Sequence, residues 1–182
     1  MIYTLPTSVE INGREYKVRS DFRDILTTLE AVADVELTDQ DRAEAVLTIF
    51  YPDLPDMPSS DYEEAVAQYL WFINCGQIDE EGKFGKKLVD WEQDFPLIVA
   101  PVNRVLGKEV RATKHLHWWT FISAYREIGD CLFAQVVSIR QKLSSGKPLD
   151  KSDKDFYRKN RSIVDIQQRY TEWESEKIRE WV

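Results

Sequence analysis

Two cysteines, two histidines and two methionines in 182 residues leave little material for metal, redox or nucleophilic chemistry. Cys75 and Cys131 have neither zinc-ligand spacing nor a pairing pattern, so two buried thiols in a reducing compartment are expected. No apolar run reaches the roughly 18 residues that a membrane span needs, and no basic region followed by an apolar core opens the chain. A soluble cytoplasmic protein follows as the expectation. Glycine-rich phosphate loops, a nucleophile elbow and a serine or cysteine beside a partner histidine are all missing. Basic residues are scarce over 21–94, where 5 Lys/Arg face 19 Asp/Glu for a net −14, whereas 95–149 carry 8 against 3, a net +5. Such an acidic stretch repels a phosphate backbone and argues against nucleic-acid binding.

What the chain has in quantity is apolar and aromatic surface: 43% of residues are hydrophobic and 12% aromatic, the composition of a folded domain with a real core. Its densest point is Leu116-His117-Trp118-Trp119-Thr120-Phe121. At 100° per residue Trp118 shares a helical face with Phe121, Ile122, Tyr125 and Ile128, while Trp119 sits on the flank. Each indole also brings one N–H that needs a partner when buried.

Alternating Val9 and Ile11, then Asn12-Gly13, then Tyr16 and Val18 predict a β-hairpin over 8–18 with a type I′ turn. Everything later has a helical period. Ser20 or Asp21 caps a helix along Phe22, Ile25, Leu26, Leu29 and Ala33; Thr38 starts one along Ala43, Val46, Leu47 and Phe50, ending before Pro52. Ser60-Asp61 starts a third along Tyr62, Ala65, Val66, Tyr69, Leu70 and Ile73, with Trp71 off that face and Gly76 as its end. After a polar loop around Gly82 and Gly85, Leu88 to Leu106 is again periodic, with a break or kink expected at Pro96 and Pro101. Gly129-Asp130 separates the Trp118 helix from one over about 132–143, and Ser144 to Pro148 reads as a linker. The division expected is a helical domain over 1–149 with its N-terminal hairpin, and a C-terminal helical arm over 150–182. That arm, free of proline and glycine from Ser152 on, predicts one long helix with the near-heptad stripe Phe156, Ile163, Ile166, Tyr170 and Trp173, and Ile178 and Trp181 beyond.

Candidate sites weigh differently. His115 and His117 form a His-x-His pair near Asp90, Glu92 and Asp94, but at a helix start the two rings diverge by about 200°. Capping or core-edge roles are the expectation for these residues, with no metal, no cofactor and no catalytic residue. Lys83, Lys86 and Lys87 around Phe84 are too few for nucleic acid. The candidates for partner binding are Trp71 and Trp119, set off their helix faces, and Ile166, Tyr170, Trp173 and Trp181 on the C-terminal stripe. The acids Asp39, Asp41, Asp53, Asp56, Asp61, Glu63 and Glu64 leave open an alternative, an acidic protein that mimics nucleic acid and inhibits a host enzyme.

Leu5-Pro6 with Val9, Asn12-Gly13, Asp21-Phe22-Arg23, Trp71-Phe72 with Cys75-Gly76, Trp91-Glu92-Gln93-Asp94, Leu116-His117-Trp118-Trp119 with Phe121, and Phe156-Tyr157 occur in an order that resembles the bacteriophage gene-product-fifteen family of tail-morphogenesis proteins. The resemblance runs from about residue 3 to residue 160, and its most specific element is the Leu-His-Trp-Trp block at its distance from the Glu-Gln-Asp block. Pro96 and Pro101 depart from the unbroken helix it implies there. The resemblance further implies a non-enzymatic tail assembly chaperone of a phage or prophage with a long tail. Such a protein binds the tape-measure protein, with the major tail protein as a second candidate partner, works in the host cytoplasm and is not retained in the virion. Self-association is a separate expectation from the C-terminal stripe with its balanced charges, and the composition predicts neither nucleic-acid nor membrane binding.

Overall fold

The computed structural model describes residues 3–77, 87–171 and 179. The stretch around Gly82 and Gly85, the Lys83, Phe84 and Lys86 cluster, and Trp173, Ile178 and Trp181 lie outside the described residues. The architecture is mainly α, with eight helices after a short hairpin among the described residues, as the helical periods and the Asn-Gly turn predict. Its contacts define two compact units, one of Met1–Gly82, Lys114–Phe121 and Arg169–Val182, the other of Lys83–Thr113 and Ile122–Gln168. With 22 Asp/Glu against 9 Lys/Arg the first unit carries −13; with 10 against 15 the second carries +5.

In the first unit, β1 (Ser8–Ile11) pairs antiparallel with β2 (Arg14–Lys17), Val9 opposite Tyr16 and Ile11 opposite Arg14. Asn12 and Gly13 take φ of 49° and 77°, the positive values of a type I′ turn, while Val9, Ile11 and Tyr16 are buried. Asp21 caps α1 (Phe22–Ala33) by accepting the Arg23 N–H. Thr38 and Asp41 form a reciprocal capping box on α2 (Asp39–Phe50). Two single 3₁₀ turns carry the chain past Pro55 and Pro58 into α3 (Tyr62–Ile73). Phe50, fully buried, stacks edge-on to Tyr69 and Phe72 with centroids 5.3 and 5.1 Å away. The buried face of α3 is Ala65, Tyr69 and Phe72, not the face through Leu70 expected from sequence. Phe72 outcompetes Leu70 because it lies 60° from Tyr69 on the side of Ala65, where α2 brings Phe50. Leu70 is left 48% exposed.

In the second unit, Asp90 caps α4 (Trp91–Leu106), which runs unbroken through Pro96 and Pro101 and ends at Gly107 with φ 65°. Of the break or kink expected there, the break does not occur. Each proline removes one donor from the helical ladder, but burial of Ile98, Val99, Pro101 and Val102 on one stripe outweighs that loss. The last residues of α5 (Trp118–Arg126) follow, then α6 (Leu132–Ser144), α7 (Lys151–Lys159) with an Asp150/Asp153 capping box, and the single turn α8 (Arg161–Val164). The long C-terminal helix is also corrected. Asn160 stops α7, and 165–171 are not helical. Phe156, Tyr157, Ile163 and Val164 fold onto Val136 and Ile139 of α6, so this part of the chain packs within its unit rather than standing out as an arm.

Candidate binding surface

The Leu-His-Trp-Trp block is held by backbone before any side chain acts. The Phe22 N–H donates to the Leu116 carbonyl (2.9 Å) and the Trp118 N–H to the Ser20 carbonyl (2.7 Å), which pairs Asp21 with His117 as an isolated antiparallel bridge. Asp21 Oδ2 accepts the Leu116 N–H at 2.8 Å, so one carboxylate caps α1 and anchors the block. His117 is buried. Its Nδ1 accepts the Trp119 N–H at 3.1 Å, which puts the proton of the neutral ring on Nε2, and Nε2 donates to the Pro6 carbonyl at 2.8 Å. Burial holds the imidazole below its ordinary pKa, with the bond to Pro6 opposing and the charge of His115 assisting. His115 meets Ser20 Oγ at 3.2 Å.

Both indoles cap α3. Trp118 Nε1 donates to the Ile73 carbonyl (3.0 Å) and Trp119 Nε1 to the Phe72 carbonyl (2.8 Å), in the last turn where helical carbonyls lack partners. Trp118 is buried against Phe121, and Phe121 stacks on Phe22 at 4.6 Å. Trp119 is partly exposed and meets Trp71, also partly exposed, edge to face at 5.7 Å. The separation of the two indoles read from helical geometry thus holds, and the two off-face tryptophans meet.

The other candidates scatter. Ile166 is half-buried in the non-helical stretch after α8, Tyr170 is 43% exposed, and neither lies on a helical stripe with Phe156 and Ile163. Trp173 and Trp181 fall outside the described residues. Cys75 and Cys131 are half-buried rather than buried, and Cys131 caps α6 through its sulfur. Among the described residues, no three His, Cys, Asp or Glu side chains are placed to hold a metal ion. The acids of the mimicry alternative are partly spent on structure: Asp61 is buried and accepts from Asn12 Nδ2 at 3.0 Å, Asp41 closes the α2 capping box, and Asp39 pairs with Arg42.

Sequence reasoning missed a second cluster. Arg140 of α6 is buried with all five N–H donors used: a bidentate pair to Asp94 (2.6 and 2.9 Å) and bonds to the carbonyls of Leu88, Ile163 and Val164. Beside it Gln93 donates to the Asp165 carbonyl (3.0 Å) and accepts the Gln167 N–H (2.9 Å), reading the main chain as a neighbouring strand would. The signal was present. Arg140 falls four residues after Val136 and seven after Phe133, on the apolar stripe of α6, where an arginine requires a buried carboxylate. Gln93 directly, and Asp94 through Arg140, thus clamp 163–167.

Fold and clusters together define a small, mainly α-helical protein whose two units are of opposite charge. Residues 1–166 match the family described as Bacteriophage Gp15 protein, and the chain belongs to that family, which points to structural or morphogenetic work in a phage. No curated protein and no solved structure matches it. No helix among the described residues is long and apolar enough to cross a membrane.

Proposed function

We propose that the protein is a non-enzymatic chaperone of phage tail assembly that keeps the tape-measure protein in solution until tail-tube subunits enclose it. One observation carries this reading. A protein that holds long amphipathic helices needs apolar surface that its own fold leaves open on a body that resists aggregation. Leu70, Trp71 and Trp119 provide such a surface on a unit of net charge −13. Family membership supports it, since the resemblance that pointed to tail morphogenesis rests on residues that build this cluster. Self-association belongs to the same reading, and light scattering at tens of micromolar is expected to give a species larger than a monomer.

The test is co-expression with the tape-measure protein of the same phage. The client should be soluble and co-purify with the chaperone, and should precipitate when expressed alone. A client equally soluble in both cases, with no complex on gel filtration, removes the assignment. Gene order provides a second check, with a major tail protein expected on one side and a very long helical protein on the other.

A further inference from the structure

The outward face of α3 is apolar where a surface helix is ordinarily polar. Opposite the buried Ala65, Tyr69 and Phe72, the 100° period places Glu63, Glu64, Ala67, Leu70 and Trp71 on one stripe. The first four are exposed, and Trp71 is extended sideways by Trp119. The stripe divides along its length, with two carboxylates in the first turn and a small residue, a leucine and two indole edges towards the end. Ala67 leaves room for close approach of a second helix, and Trp71 and Leu70 flank it as walls.

We propose that this face of α3 with Trp119 is a docking site for an amphipathic helix whose apolar stripe is bordered by lysine or arginine. Charge complementarity selects this occupant. Glu63 and Glu64 stand at one end of the apolar strip, and the unit bears 22 acidic against 9 basic residues, so a basic border is drawn in and an acidic one repelled. A second copy of the chain could present a basic helix to the same face only from its +5 unit, and the oligomeric state of the variants tests that occupant. The assignment rests on the chaperone reading, because it specifies the surface by which a helical client is held.

The probe is a fluorescent 18-residue Leu/Lys amphipathic helix without tryptophan, beside a Leu/Glu helix of the same pattern, with binding read by anisotropy. Leu70→Glu and Ala67→Glu are the informative variants, since both positions are exposed and neither supports the core. Each is expected to weaken the Leu/Lys helix about tenfold or more, whereas Asp39→Lys on α2 should change it by about twofold or less. The Leu/Glu helix should not bind. Attraction by net charge alone predicts the reverse order, with Leu70→Glu neutral or tighter and Asp39→Lys weaker, and that result overturns the site. Circular dichroism of each variant checks folding, and a wild-type oligomer that Leu70→Glu dissociates on gel filtration would seat a second copy on this face and overturn the assignment. Co-expression with the tape-measure client separates the two ideas. A client still held by Leu70→Glu leaves the chaperone reading intact and refutes this surface; peptide binding lost in Leu70→Glu without any client effect of the wild type does the opposite.

Discussion

Trp118 and Trp119 are neighbours in sequence and donate to neighbouring carbonyls, yet their burial differs, and burial decides their weight. Trp118→Ala opens a cavity beside Phe121 and is expected to cost about 3–5 kcal/mol. Trp119→Ala loses one hydrogen bond to Phe72 and a partly exposed contact, so about 1–3 kcal/mol is expected. Urea denaturation of the two variants measures the difference, and equal losses would make Trp119 core rather than surface. His117 adds a dependence on pH. Its folded pKa is lowered from 6.5, so between the folded and unfolded values the unfolded chain binds more protons. The contribution of the neutral ring is complete above the unfolded value and declines as the pH falls through it toward the lowered folded value. Protonating Nδ1 also destroys the acceptor of the Trp119 N–H. Stability is thus expected to fall as the pH drops below 6.5 more steeply in the wild type than in His117→Gln. Identical slopes would show that the ring does not resist protonation.

Among elements, Arg140 is the residue through which α4, α6 and α8 are held together. Arg140→Met leaves Asp94 buried without its counter-charge and should cost about 3–5 kcal/mol. Adding Asp94→Leu removes the stranded carboxylate but not the loss at the Leu88, Ile163 and Val164 carbonyls. The double variant is therefore expected to recover part of the stability and not all of it. Full recovery in a denaturation cycle would mean that the carbonyl bonds contribute nothing net. α4 makes a related point about local rules. Two prolines ordinarily end a helix, and here a well-capped helix with a buried stripe continues through both.

For the whole molecule, charge is divided by unit, −13 and +5, rather than by the stretches of sequence in which it was first counted. Residues 114–121 and 169–182 belong with the acidic unit although the sequence around them is neutral or basic. Deleting 150–182 is for the same reason no clean excision of an arm. It removes Phe156, Ile163 and Val164 from the α6 core and two carbonyls from Arg140. Faster amide exchange in α6 and a lower thermal midpoint are expected. A truncated protein with unchanged exchange in α6 would show that 150–168 contribute no packing.

The sequence by itself determined the mainly α class, the hairpin with its Asn12-Gly13 turn, the cap at Thr38, the different surroundings of Trp118 and Trp119, and the family. Each of these depends on neighbours a few residues apart, through turn dihedrals, helical period or motif order. Tertiary structure alone decided that Phe72 and not Leu70 faces inward, that α4 survives its prolines, that the C-terminal stripe ends at Asn160 and folds back, and that Asp94 finds Arg140 across 46 residues. The deciding partners, Phe50 for α3 and Asp94 with the Ile163 and Val164 carbonyls for Arg140, came from distant parts of the chain that no local pattern contains.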